Sequence, residues 1–133
     1  MSWLFIDTHA PGAYRLGVYD AERGLRLKSY VGRTRELLRY LQKGWKAEGA
    51  AWRGIAVVAG PGSFSSIRIG VLYANLLATC LRLPLVALSV EESSDASTLE
   101  RVLAVKVKTV SKDRAYIAPI YDAEPNITMP RSS

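Results

Sequence analysis

The chain carries one cysteine, one histidine and no long apolar run, and each scarcity removes a class of function. A lone Cys80 excludes an internal disulfide and a cysteine-clustered zinc site. Its apolar neighbours place it as a small core residue. A lone His9 excludes a His-based metal site, and Ser63 has neither a histidine nearby in sequence nor a Gly-x-Ser-x-Gly elbow around it. The most apolar late stretch, Thr79 to Leu88, is broken by Arg82 and Pro84, whereas a membrane span needs about 20 apolar residues. Met1 to Phe5 is apolar, but Asp7 and His9 interrupt it before a secretory signal can form. A soluble cytoplasmic protein without membrane contact is therefore expected, and the sequon Asn126-Ile127-Thr128 reads as chance. No repeat and no low-complexity stretch stands out.

What remains is a chain of 133 residues, 49% hydrophobic and 23% charged, enough for one domain with a real core. Eighteen Lys and Arg against twelve Asp and Glu give a net charge of +6, which favours an acidic partner or nucleic acid. The cations are spread out, with one denser group at Arg33, Arg35, Arg39, Lys43 and Lys46. That group reads either as a solvated helix face or as a contact for nucleic acid or an acidic protein.

Trp3 to Asp7 is a short apolar strand ending in an acid. Ala13 to Asp20 alternates, Asp20 to Gly24 has the composition of a hairpin connection, and Leu25 to Val31 alternates as a half-buried strand. Three antiparallel strands follow from this. Gly32-Arg33-Thr34 opens a helix that Thr34 can cap. Leu37, Leu38, Leu41 and Trp45 form one apolar stripe on it, and Gly49 ends it. Ile55 to Ala59 is continuously apolar, as in a strand covered on both faces. Ser66 to Leu83 is a second helix, closed by Pro84, and Leu85 to Leu88 is a further buried strand. The order β-β-β-α-β-α-β implies a mixed sheet with helices packed on it. Beyond Ser89, residues 91 to 98 read as a loop and Val102 to Val110 alternates as another strand. Tyr116 to Tyr121 is a short strand candidate, followed by an irregular tail from Asp122.

Gly60-Pro61-Gly62 lies between strand and helix. It lacks the third glycine of a dinucleotide fingerprint and the lysine of a Walker loop. Two readings stay open: a turn that needs two flexible positions, or a nest of backbone N–H groups for an anion or partner, with Ser63 at the helix start. On the helix that follows, Arg68, Asn75, Thr79 and Arg82 form a narrow polar stripe. One flank carries Ile69, Leu72, Tyr73, Leu76 and Cys80, the other Gly70, Ala74 and Ala78 at four-residue spacing. The apolar arc covers well over half the circumference, more than one sheet buries on a surface helix. Either neighbouring elements of the same chain cover the excess or a second protein does.

Three segments resemble the TsaB (YeaZ) family, the non-catalytic subunit of bacterial tRNA threonylcarbamoyladenosine synthesis. They are Ile6-Asp7-Thr8, the run Gly60-Pro61-Gly62-Ser63-Phe64-Ser65-Ser66-Ile67-Arg68-Ile69-Gly70, and Leu83-Pro84-Leu85-Val86-Ala87-Leu88-Ser89. The resemblance covers about residues 3–90, and Pro119 to Met129 is loosely similar to the family's C-terminal end. It implies an α/β fold, a single RNase H-like lobe of the actin-like ATPase (ASKHA) class, over residues 1–90. Remnant strands and an irregular tail would fill 91–133. It also implies a partner, a TsaD-like catalytic subunit, met through a bundle of the two N-terminal helices of each protein. A TsaE-like ATPase is a further partner, and tRNA is reached indirectly. Leu37, Leu41, Ile69, Gly70, Tyr73, Ala74, Leu77 and Ala78 would form the interface. The chain has Ser65-Ser66-Ile67 where the family usually has Thr-Gly-Leu. Family members carry a second lobe that the resemblance does not reach here, so no two-lobed nucleotide cleft, cofactor or metal is expected.

Asp7 sits where RNase H-like nucleases place their first metal carboxylate, but two-metal chemistry needs several converging acids. Only Glu36 and the end of the Ile55–Ala59 strand are at hand, and that strand offers Gly60. No catalytic residue is assigned, and the absence of a histidine pair separates the chain from TsaD. Two alternatives accompany the scaffold reading. One is a nucleotide- or tRNA-binding module using Asp7, Thr8, Gly60, Gly62 and Ser63 with the basic helix face. The other is a self-associating homodimeric regulator that uses the same helices.

Overall fold

The computed structural model describes residues 2–32, 35–61 and 64–109. Eight main elements follow in order: β1 (Ser2–Asp7), β2 (Ala13–Asp20), β3 (Gly24–Val31), α1 (Arg35–Glu48), β4 (Trp52–Gly60), α2 (Phe64–Leu81), β5 (Leu85–Ser89) and α3 (Ala96–Thr109). Short 3-10 turns fill Gly49–Ala51 and Glu91–Ser93. The order β-β-β-α-β-α-β is the expected one. Thr34 and the segments 116–121 and 122–133, with the loosely similar 119–129, lie outside the described residues.

The five strands form one sheet in the order β3-β2-β1-β4-β5. β2 runs antiparallel to both β1 and β3, and β4 runs parallel to β1 and β5, so β2 alone is reversed. This is the mixed sheet of a single RNase H-like, ASKHA-type lobe. Strand alternation divides the core into two layers. Leu4, Ile6, Ile55, Val57, Ala59 and Leu85 pack toward α1 and α2. Phe5, Ala56, Val58, Val86 and Leu88 pack toward α3. The unbroken apolar run of β4 is thus explained by cover on both faces.

Residues 102–109 are helix, not the strand that alternation suggested. The sequence Val-Leu-Ala-Val-Lys-Val-Lys satisfies a period of two, but extended back to Leu99 it also satisfies 3.6. The start signal decides between them. Asp95 caps the helix, its Oδ1 accepting from the Thr98 N–H at 2.8 Å, and its carbonyl accepts the Leu99 N–H at 2.9 Å. Leu99 and Leu103, one turn apart, are then fully buried against the sheet. Residues 91–109 accordingly belong to the same packed unit as 2–90 instead of a remnant strand. Lys106 turns back along the helix and donates to the Ala87 carbonyl at 2.9 Å and to Glu92 Oε1 at 3.2 Å.

Two helix ends differ slightly from expectation. α2 stops at Leu81, because Arg82 takes a left-handed φ of 56° and the Leu83 N–H reaches the Ala78 carbonyl at 2.9 Å. After β5, Ser89 and Glu92 form a reciprocal cap. The Ser89 N–H donates to Glu92 Oε1 at 2.8 Å, and the Glu92 N–H donates to Ser89 Oγ at 3.1 Å.

Candidate partner interface between the first two helices

α2 is apolar nearly all the way round, and the fold uses only part of it. Ile67, Gly70, Val71, Ala74 and Ala78 lie within one arc at 100° per residue, and this arc is buried on the sheet. At Gly70 the approach is closest: a Cβ there would collide with Thr8 Oγ1. The Thr8 hydroxyl is itself buried, donating to the Ser66 carbonyl at 2.7 Å and accepting from the Gly70 N–H at 3.2 Å. Thr8 therefore pins the first turn of α2 to the tip of β1.

The expected interface has to be corrected accordingly. Gly70, Ala74 and Ala78 face the chain's own sheet, and Leu37 is fully buried beneath α1. Small residues at four-residue spacing let α2 approach the sheet instead of a second protein. Cys80, expected in the core, is exposed. It lies on the outer side of α2 with Leu72 and Leu76, which are 48% and 50% exposed. Across from them α1 presents Leu38 and Trp45, 45% and 44% exposed. Between the two helices runs a groove of about 340 Å³, walled by Leu38, Leu41 and Trp45 of α1 and by Tyr73, Leu76 and Leu77 of α2. Of the expected residues, Leu41, Tyr73 and Leu77 thus line the groove, and Ile69 packs at the edge of the core. Leu38, Trp45 and Leu76 on one groove, each near half exposure, exceed the scattered apolar residues of an ordinary surface.

The second expected site is at the C-terminal edge of β1, β4 and β5, where open α/β sheets usually bind ligands. Here its side chains are engaged with one another. Asp7 is buried and its Oδ2 accepts from Arg15 Nε at 2.8 Å and Nη2 at 2.6 Å. Its Oδ1 accepts from the His9 N–H at 3.0 Å and meets His9 Nδ1 at 2.6 Å. Arg15 Nη2 also reaches the Ser93 carbonyl at 2.8 Å, tying β2 to the turn before α3. The guanidinium lies 5.7 Å from the centre of the Phe5 ring. Both oxygens of Asp7 and the hydroxyl of Thr8 are thus committed to the fold rather than open to an anion or nucleotide. Gly60 has a φ of 125°, which favours glycine, and its carbonyl accepts from the Val90 N–H at 3.1 Å. Gly62 and Ser63 lie outside the described residues. Among the described residues no three His, Cys, Asp or Glu gather as metal ligands.

Two carboxyl or phenol groups near these elements are shifted. For Glu92, burial pushes the carboxyl up, but hydrogen bonds from Ser89 and Lys106 outweigh it and hold it below the usual range. For Tyr14, burial raises the phenol, helped by the Glu36 carboxylate and the neighbouring Tyr40 and Tyr30.

Comparison with known proteins bears on this geometry. The sequence model of the TsaD family, tRNA N6-adenosine threonylcarbamoyltransferase, matches residues 34–98, the stretch from the start of α1 into α3. Among solved structures the chain is similar to YeaZ from Pseudomonas aeruginosa, at 26% identity and a TM-score of 0.58. That likeness covers 66% of this chain. A second structure, an uncharacterized Pseudomonas aeruginosa protein with similarity to peptidase YeaZ, matches with the same identity, TM-score and coverage. The chain spans 43% of the length of these solved structures. No curated protein matches it.

Sequence reasoning missed the Arg15–Asp7–His9 cluster and the bond between two of the family-like segments, Thr8 to Gly70. A signal for the second was present: a glycine within an apolar helix marks a close approach. Nothing local announced the first, since Arg15 meets Asp7 only through the β1–β2 register.

Proposed function

We propose that this chain is a non-catalytic docking subunit for a TsaD-like catalytic subunit in tRNA threonylcarbamoyladenosine synthesis. The observation that carries this reading is the open apolar groove between α1 and α2, lined by the half-exposed Leu38, Trp45 and Leu76, with the exposed Leu72 one turn before Leu76 on α2. An apolar patch rimmed by polar residues is the signature of a protein interface. The likeness to YeaZ and the TsaD family match over 34–98 support the choice of partner. The chain's only histidine, His9, is bound to Asp7, which supports a role without chemistry of its own. In this role the chain works in the cytoplasm, touches tRNA through its partner and meets a TsaE-like ATPase in the same assembly.

Co-expression with the cognate catalytic subunit and size exclusion at micromolar concentration tests the reading. A co-eluting complex is expected, and the double substitution Leu72→Glu with Leu76→Glu abolishes it while the melting temperature holds. Persistent separation of the wild-type proteins rejects the proposal. Sedimentation that shows two copies of this chain covering the patch, with no binding of the catalytic subunit, replaces it with the homodimer reading.

A further inference from the structure

The end of β1, on the side of the sheet that α3 covers, holds a charge that the fold neutralises for itself. Asp7 is only 2% exposed, and a carboxylate withdrawn from water is stable only when a cation or several donors meet it. The neighbouring strand supplies the cation. Asp7 and Arg15 are paired directly across the antiparallel β1–β2 ladder, so their side chains leave the same face of the sheet. Arg15 Nε and Nη2 both donate to Asp7 Oδ2, at 2.8 and 2.6 Å, and Nη2 donates again to the Ser93 carbonyl at 2.8 Å. The guanidinium thus bridges a carboxylate oxygen and a backbone carbonyl oxygen from distant parts of the chain. Those are two of the oxygen types that a hard divalent cation takes as ligands. The ring of Phe5, two residues before Asp7 on the same face, lies beneath the guanidinium at 5.7 Å. His9 covers the remaining oxygen of Asp7, its N–H donating to Oδ1 at 3.0 Å and its Nδ1 lying 2.6 Å from the same atom.

We propose that Arg15 is the resident cation of a divalent-metal position, a side chain holding the oxygens that an ion would otherwise bridge. In an RNase H-like lobe the end of β1 is where the first metal carboxylate stands, and Asp7 stands there. The residues present do not fit a resident metal. Arg15 already uses Asp7 Oδ2 and the Ser93 carbonyl, and among the described residues no group of three His, Cys, Asp or Glu completes a ligand set. An arginine differs from an ion in that its charge is tethered to β2 and is kept at every physiological pH. The contact between β1, β2 and the turn that leads into α3 is therefore fixed without metal or nucleotide. An ordinary ion pair accounts for the bonds to Asp7 alone. It gives no reason for the same nitrogen to hold a carbonyl of the turn before α3. The inference stands apart from the docking role, because the groove lies on the other face of the sheet.

The probe is Mn²⁺, added as the chloride to the metal-stripped chain. Uptake is read from the loss of the free-ion electron paramagnetic resonance signal, and the melting temperature is followed on the same samples. Wild type should take up no more Mn²⁺ than Asp7→Asn does. Arg15→Gln keeps a donor within reach of the carboxylate but removes the charge. It should bind Mn²⁺ about tenfold or more tightly than wild type, because a fixed positive charge no longer repels the ion. Asp7→Asn combined with Arg15→Gln should lose that gain, and Arg15→Lys, which restores the charge, should return uptake to the wild-type level. Mn²⁺ should also raise the melting temperature of Arg15→Gln and leave wild type unchanged, with KCl at equal ionic strength as the control. Three results overturn the inference: wild-type uptake that Asp7→Asn removes, no gain in Arg15→Gln, or equal uptake by the Gln and Lys variants. If Arg15→Gln does not fold by itself, folding restored by Mn²⁺ but not by KCl supports the inference, and failure in both overturns it.

Discussion

The two faces of the sheet are finished differently. On one, α3 turns Leu99 and Leu103 inward and leaves a mostly charged and polar outer surface, with Val105 the large apolar exception. On the other, α1 and α2 bury Leu37, Leu41, Ile67, Val71 and Ala74, yet still present Leu38, Trp45, Leu72 and Leu76 to the outside. The α3 layer is satisfied by its own chain. The α1–α2 layer buries its inner side and keeps a strip of large apolar side chains on its outer side, among charged residues, that the fold does not use. Burial of apolar area stabilises at about 25 cal/mol per Å², so an outer side left open forgoes stabilisation that a partner can recover.

The comparison is broken most forcefully in the satisfied layer. Leu103→Ala removes a fully buried side chain and should cost about 2–5 kcal/mol, read by denaturant unfolding. Leu76→Ala, on the open layer, should stay within about 0.5 kcal/mol in the same experiment. Equal losses at the two sites would mean that Leu76 is covered within the chain. The next effect tests the inner flank of α2. Gly70→Ala drives a methyl group into Thr8 and should destabilise by about 1–3 kcal/mol, whereas an unchanged unfolding midpoint would show that α2 can shift off the sheet. The smallest effect concerns the link between β5, the turn after it and α3. Glu92 has a folded pKa below its unfolded value of 4.5, so the unfolded chain takes up the proton first. Its contribution is therefore full well above pH 4.5 and is lost as pH falls through the unfolded value toward the folded one. Glu92→Gln should flatten the acid limb of a plot of melting temperature against pH. An acid limb identical to wild type would show that the Ser89–Glu92–Lys106 set adds nothing to the α3 layer.

Much of this was legible from local pattern. The alternation of β2 and β3, the unbroken run of β4 and the largely apolar character of α2 each point to the element observed. The failures have one cause. Period and composition give a helix an apolar face but not its neighbour. Gly70, Ala74 and Ala78 were a fair guess for an interface because small residues do mark close packing; the packing is with β1 and β4 of the same chain. The apolar neighbours of Cys80 suggest a core position, but Ala78, Leu77 and Leu81 turn inward while Cys80 itself is exposed. In residues 102–109 two periods fit the same letters, and the Asp95 cap settled the matter from outside the window. For the candidate site, the two helices and part of the lining were readable, but the flank that stays open was not.

The sequence alone determined that α2 carries more apolar surface than a single sheet can hide and that the chain lacks the histidines and cysteines for metal chemistry, because both are matters of residue type and count. Which flank of α2 remains in the open was decided only when Gly70 closed on Thr8. The Asp7 carboxylate was likewise withdrawn from ligands only when the β1–β2 register brought Arg15 to it. Long-range contacts of this kind are set by how strands pair and helices seat, and no local window contains both partners.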